Sequence, residues 1–118
     1  MAWEIEYFEK DNGECPTREF IHRLNRKTDI PYIELRIDQL REHGHTLGDP
    51  YVHYLEDGIY ELRAKTRNGQ FRFFYFFYER ETIVITHGIH KKTDRVPEPE
   101  IKKAKEYRSV YQSRKSKI

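Results

Sequence analysis

The chain has one cysteine, one tryptophan and one methionine in 118 residues, and these scarcities remove several classes of protein. A lone Cys15 cannot close an intramolecular disulfide, which excludes a disulfide-stapled scaffold and suits a reducing compartment. No apolar run approaches the roughly 20 residues that cross a bilayer. The opening MAWEIEYFEKDNGE is acidic and carries no apolar signal region, so a soluble, cytoplasmic protein without a membrane partner is expected. No Walker loop, Rossmann glycine motif or nucleophile elbow is present. His43-x-His45 has metal-ligand character but no Cys or acidic partner at matching spacing, so neither a metal nor a cofactor is expected.

What is present is charge and aromatic surface. Charged residues make up 36% of the chain and aromatics 14%, with 9 Tyr and 7 Phe, while mean hydropathy is −0.97. That combination describes a polar shell around an aromatic interior and argues against disorder. The length suits one domain over residues 1–118. The net charge of +2 hides an asymmetry. Residues 1–90 carry 12 Lys and Arg against 16 Asp and Glu, and residues 91–118 carry 10 against 4. The basic C-terminal segment suits a polyanion such as nucleic acid, and equally a solvated charged helix.

Trp3–Phe8 alternates as a strand, and Asp11-Asn12-Gly13 breaks it. Pro16 opens a helix over residues 16–26. Thr28 or Asp29 caps a second, with Pro31 in its first turn and Ile30, Ile33, Ile37 and Leu40 as its apolar stripe. Gly44 ends it. A short strand is expected near Tyr51–Leu55, then two strands around Asn68-Gly69 and a last strong strand over Thr82–Ile89. Pro97 and Pro99 begin a C-terminal helix with Ile101, Ala104, Tyr107 and Tyr111 as its buried stripe. The order β-α-α-β-β-β-β-α implies an α+β domain. We expect a twisted antiparallel sheet of four to five strands with helices over one face and the other partly open.

The densest pattern is IYELRAKTRNGQFRFFYFFYERETIVITHGIHKK, from Ile59 to Lys92. With Asn68-Gly69 as a type I′ loop, Lys65 faces Arg72 and Arg63 faces Phe74. Alternation gathers Tyr60, Leu62, Ala64, Phe71, Phe73, Tyr75 and Phe77 on a core face. Arg63, Lys65, Arg67 and Arg72 gather on the other, with Phe74 and Phe76 beside them. Opposed like charges destabilise a sheet, so the cluster reads as an anion site or as a solvated basic face. Phe74 and Phe76 can stack an unpaired base or pack under a helix. His87 is the natural acid/base group. A two-residue loop at Arg80-Glu81 places it opposite Phe74, and a three-residue loop over 79–81 places it opposite Phe73 in the core.

Four pieces in this order resemble the HigB-like, phage-derived branch of the RelE/ParE toxin superfamily. They are Tyr60-Glu61-Leu62-Arg63-Ala64-Lys65-Thr66, Phe71-Arg72-Phe73-Phe74-Tyr75-Phe76, Ile83-Val84-Ile85-Thr86-His87-Gly88 and Lys91-Lys92-Thr93, followed by Ile101-x-x-Ala104. The likeness covers about residues 55–111. It implies a RelE-like fold and a toxin that cleaves messenger RNA on the ribosome, restrained by a helix-turn-helix, HigA-like antitoxin. The resemblance carries Arg63, Lys65 and Arg72 over as the basic residues of the site, and His87 joins them as acid or base. Arg67, Phe74, His90, Lys91 and Lys92 are the expected phosphate or RNA contacts. A C-terminal tyrosine used by the RelE branch has no assignable counterpart in Tyr107 or Tyr111. A ParE-like gyrase inhibitor and an inactive antitoxin-binding module are the competing readings.

Overall fold

The computed structural model describes residues 2–91 and 95–116. The elements follow the expected order: β1 (Glu4–Tyr7), α1 (Pro16–His22), α2 (Ile30–His43), β2 (Val52–Glu56), β3 (Ile59–Thr66), β4 (Gly69–Tyr78), β5 (Thr82–Lys91) and α3 (Glu98–Ser116). Proline stands in the first turn of both N-terminal helices, where its missing donor is one of the unsatisfied groups anyway. Helix α1 stops at His22, short of residue 26.

The five strands form one sheet in the order β1-β5-β4-β3-β2. Pairing is antiparallel except at one edge, where β1 runs parallel to β5 with Ile5 against Ile83. The fold is therefore the expected α+β sheet with an N-terminal helical hairpin and a C-terminal helix, made mixed by β1. The parallel pairing has a simple cause. The chain leaves β1 through both helices, long enough to return to the sheet in either sense.

Two registers differ from the sequence-based expectation. Thr66 pairs with Gly69, so the β3–β4 loop is Arg67-Asn68, and Arg63 rather than Lys65 lies opposite Arg72. The Asn68 side chain explains the shift. Its Nδ2 donates to Asp29 and Thr28, and Asp29 also accepts from Thr66 Oγ1 at 2.7 Å. These bonds pin the hairpin tip to the start of α2. The two-residue loop with positive φ at both positions is instead Asp57-Gly58, between β2 and β3. The shift moves pairing by two residues, so each side chain keeps its face.

The β4–β5 loop spans residues 79–81, since Tyr78 pairs with Thr82. A bulge between Phe74 and Tyr75 then leaves Thr86 extra on β5, and His87 comes opposite Phe74 after all. Neither simple loop foresaw that combination.

Helices pack on both faces. One face packs Leu62, Ala64, Phe71, Phe73, Tyr75, Ile83 and Ile85 against Ile21, Ile33, Ile37 and Leu40 of the helical hairpin. Gly88 serves this face by omission: a Cβ there would stand 2.6 Å from Phe73 and 2.8 Å from Phe20. The opposite face is roofed by α3 over part of its length and stays open towards the β3–β4 loop, as expected. Under the helix Ile59, Phe74, Phe76 and Val84 pack with Phe8, Ala104 and Tyr111.

Candidate nucleic-acid interface

The α3-side face changes character along the strands. Under the helix it is aromatic. Towards the β3–β4 loop it becomes ionic, because α3 begins only at Glu98 and covers no further. Successive rows across β3, β4 and β5 run Glu61–Phe74–His87, then Arg63–Arg72–Ile89, then Lys65–Gln70–Lys91.

At the centre is an internal counter-ion. Glu61 is fully buried and accepts from Arg72 Nη1 at 2.9 and 3.1 Å and from Arg63 Nε at 2.6 Å. Arg72, 1% exposed, also donates from Nη2 to Gln70 Oε1 at 2.8 Å. The clustered arginines thus hold an anion, and it comes from the protein itself. The period of two along β3 places Glu61 on the same face as Arg63 and Lys65, a signal visible in YELRAK.

The candidate residues divide accordingly. Arg63 keeps 31% of its side chain exposed, and Lys65 and Arg67 are exposed. These three share the open end of the face and the hairpin tip. Arg72 is buried, so it backs the site instead of touching a ligand. Lys91 shares the face opposite Gln70 and is buried. Lys92 lies outside the described residues.

Two expectations, for Phe74 and His90, are corrected. Phe74 is fully buried, stacked on the His87 ring at 4.8 Å and packed with the residues beneath α3, so it offers no platform to a base. Phe76 is buried in the same way. His90 belongs to the other face, where it stacks on Phe71 at 4.6 Å and donates from Nε2 to the Asn68 carbonyl at 2.8 Å. Opposition to Phe71, not to Gln70, decides its side.

His87 does reach the α3-side face but is 4% exposed. Its Nε2 lies 3.1 Å from Glu100 Oε1 and its Nδ1 3.0 Å from Thr86 Oγ1. A neutral ring with hydrogen on Nε2 donates to Glu100, and its Nδ1 shares the single hydroxyl hydrogen of Thr86 with the Phe74 carbonyl, 3.2 Å from Thr86 Oγ1. Burial pulls its pKa down to about 4, against the opposing pull of the Glu100 carboxylate. Both nitrogens are engaged, so the geometry makes His87 a link between sheet and helix rather than a free acid or base.

Part of the basic C-terminal segment is paired within the molecule. Lys105 pairs with Glu56, Arg108 with Asp57 at 2.9 Å, and Arg114 with Asp11 at 2.7 Å. Tyr111 donates to Glu6 at 2.8 Å, and Tyr107 stacks on Phe8 at 4.6 Å. Both tyrosines are thereby placed in structural roles. His45 stacks on Phe77 at 3.7 Å, and among the described residues no three metal-ligating side chains converge. No helix among them is long and apolar enough to cross a membrane.

A small α+β sheet, with a helical hairpin on one face and a C-terminal helix on the other, is compatible with a RelE-like fold, and the family model places the chain in the RelE/ParE-like class of toxins. Within that class the particular family follows from its family model. Phage derived protein Gp49-like (DUF891) matches residues 19–109, and the chain belongs to that family. Such toxins act in toxin–antitoxin pairs, so an antitoxin is its partner. No curated protein matches the chain.

Proposed function

We propose that this protein is a HigB-like toxin that cleaves messenger RNA on the ribosome, in the cytoplasm, and is neutralised by a helix-turn-helix antitoxin. The observation that carries the reading is Arg63. Its Nε is held by buried Glu61, while the side chain remains part-exposed beside Lys65 on the same face.

Cleavage of RNA through its 2′-hydroxyl develops charge on the non-bridging oxygens of a pentavalent phosphorus. A guanidinium fork meets two such oxygens at once, and a preorganised cation is worth most where charge develops. Arg63 fills that role, with Lys65 beside it and Arg67 holding a flanking phosphate at the hairpin tip. Arg72 acts from behind by sharing Glu61. An antitoxin covering this end of the sheet would block both phosphate contacts and entry to the ribosome.

The test is induced expression in bacteria with primer extension on an abundant message. Arg63→Ala with Lys65→Ala is the variant of choice, since Arg72 is buried and its removal would confound folding with activity. Growth arrest with in-frame cuts, lost in the double variant, supports the nuclease. Arrest with intact messages and DNA damage signalling points to a gyrase inhibitor. A folded protein without effect on growth points to an inactive binding module.

A further inference from the structure

We propose that Glu61 is the positioning residue of this site, and that its buried carboxylate aims Arg63 at the phosphate. The inference rests on the nuclease reading for its consequence, but its geometric content stands by itself.

Three features carry it. The Glu61 carboxylate lies fully out of water and takes Arg63 by Nε at 2.6 Å, while among the described residues no hydrogen bond engages either Arg63 Nη. The inner edge of the guanidinium is therefore fixed and its outer Nη pair is left for a ligand. The same oxygen accepts Arg72 Nη1 at 2.9 Å, and Arg72 is braced in turn by Gln70. Glu61 is thereby held from two adjacent strands. Lastly, Arg63 and Arg72 are directly opposed on adjacent strands, a like-charge pair that would splay without an anion between them.

Stability alone does not account for this arrangement. A buried ion triad is a poor stabiliser compared with apolar side chains of similar volume. The next row on the same face is Phe76 with Val84, both buried, and buried Phe74 stands beside Glu61 in its own row. The fold can thus build that layer from hydrocarbon and here does not. The carboxylate contacts no substrate in this scheme. It acts through Arg63, and Lys65 stays exposed beside it on the same face.

The experiment compares wild type, Glu61→Gln, and the apolar replacement Glu61→Leu with Arg72→Met, which removes the ion pair without stranding a charge. Each is measured for melting, for affinity to a short single-stranded RNA, for single-turnover cleavage on programmed ribosomes, and for the Arg63 Nε–H signal in nitrogen-15 NMR. Wild type should show a distinct, exchange-protected Arg63 Nε–H. Both variants should lose that protection and cleave about a hundredfold more slowly, the scale for losing one preorganised donor. RNA affinity should hold within about threefold, or tighten, because the phosphate-facing cations remain.

If the Leu/Met variant folds and cleaves at the wild-type rate, Glu61 is only a structural counter-ion and the inference is overturned. An Arg63 Nε–H exchanging as fast as free arginine in wild type overturns it too. If wild type cuts no message, the nuclease reading falls while the NMR signal still decides whether Glu61 holds Arg63.

Discussion

Phe73 and Phe74 are consecutive in β4, equally buried, and point to opposite sides of the sheet. On the side of Phe73 the neighbouring rows are Ala64 with Phe71 and Tyr60 with Tyr75, and the helical hairpin closes over them. On the side of Phe74 the next row outward is Arg63 with Arg72, tied to Glu61. The first face is packed with apolar and aromatic side chains beneath the helical hairpin. The second is packed in that way only as far as α3 reaches, and beyond that it meets burial with paired charge. A face that stability needs is filled with hydrocarbon, and the exception marks where a ligand is expected.

The largest effects should come from the part the two faces share. Phe73→Ala and Phe74→Ala should each cost about 3–5 kcal/mol in urea unfolding, the range for emptying a packed aromatic site. Should Phe74→Ala instead leave stability intact and weaken RNA binding, the α3-side face would be an open stacking surface and the comparison would break.

Arg72→Ala should cost a similar amount, about 3–5 kcal/mol, by leaving a buried carboxylate short of its main partner. Pairing Arg72→Met with Glu61→Leu should recover most or all of that loss in the same unfolding measurement. A comparably large loss in the paired variant would mean that the ionic row is itself a mainstay of the fold.

His87 sharpens the contrast through pH. Its folded pKa lies below the ordinary value of 6.5, at about 4, because burial disfavours the imidazolium. The unfolded chain therefore binds more protons in this window. The stability contributed by His87 is fully present above pH 6.5 and is lost as pH falls towards 4, by roughly 3 kcal/mol at most. His87→Gln should flatten that limb of the stability–pH curve. An unchanged slope would show that the sheet–helix link does not titrate.

The smallest effects on folding belong to the exposed cations. Lys65→Ala and Arg67→Ala should change stability by no more than about 0.5 kcal/mol. Each should also reduce the slope of log affinity for single-stranded RNA against log salt by about 0.7. A salt slope unmoved by either change would leave the open end of the face as a solvated basic surface.

Arg108 offers a control from the other basic region. It pairs with Asp57 in the β2–β3 turn, at the opposite end of β3 from the hairpin tip, so Arg108→Ala should leave that slope unchanged.

Much of this was legible in the chain. The order of elements, the apolar stripe of α2, the buried stripe of α3 and the division of β3 and β4 into faces all follow from periods of 3.6 and 2, which are local properties. Glu61 is equally legible, lying two residues from Arg63 on the same face of β3. The register of the β3–β4 hairpin was not. Asn68-Gly69 has the local preference for a type I′ turn, but bonds from residues almost forty positions away override it. The side taken by His90 and the bulge at Thr86 likewise depend on which strand comes to lie alongside.

The sequence by itself determined an α+β domain of RelE/ParE type with a basic end to its central hairpin, because alternation and residue chemistry are written along the backbone. Only the tertiary structure decided which basic and aromatic residues remain for a ligand. It buried Phe74 and His87 under α3, turned His90 to the opposite face and neutralised cations of α3 on nearby acids. It also placed Glu61 between two arginines. Exposure and charge pairing are properties of surfaces brought together from distant segments, and no local pattern encodes them.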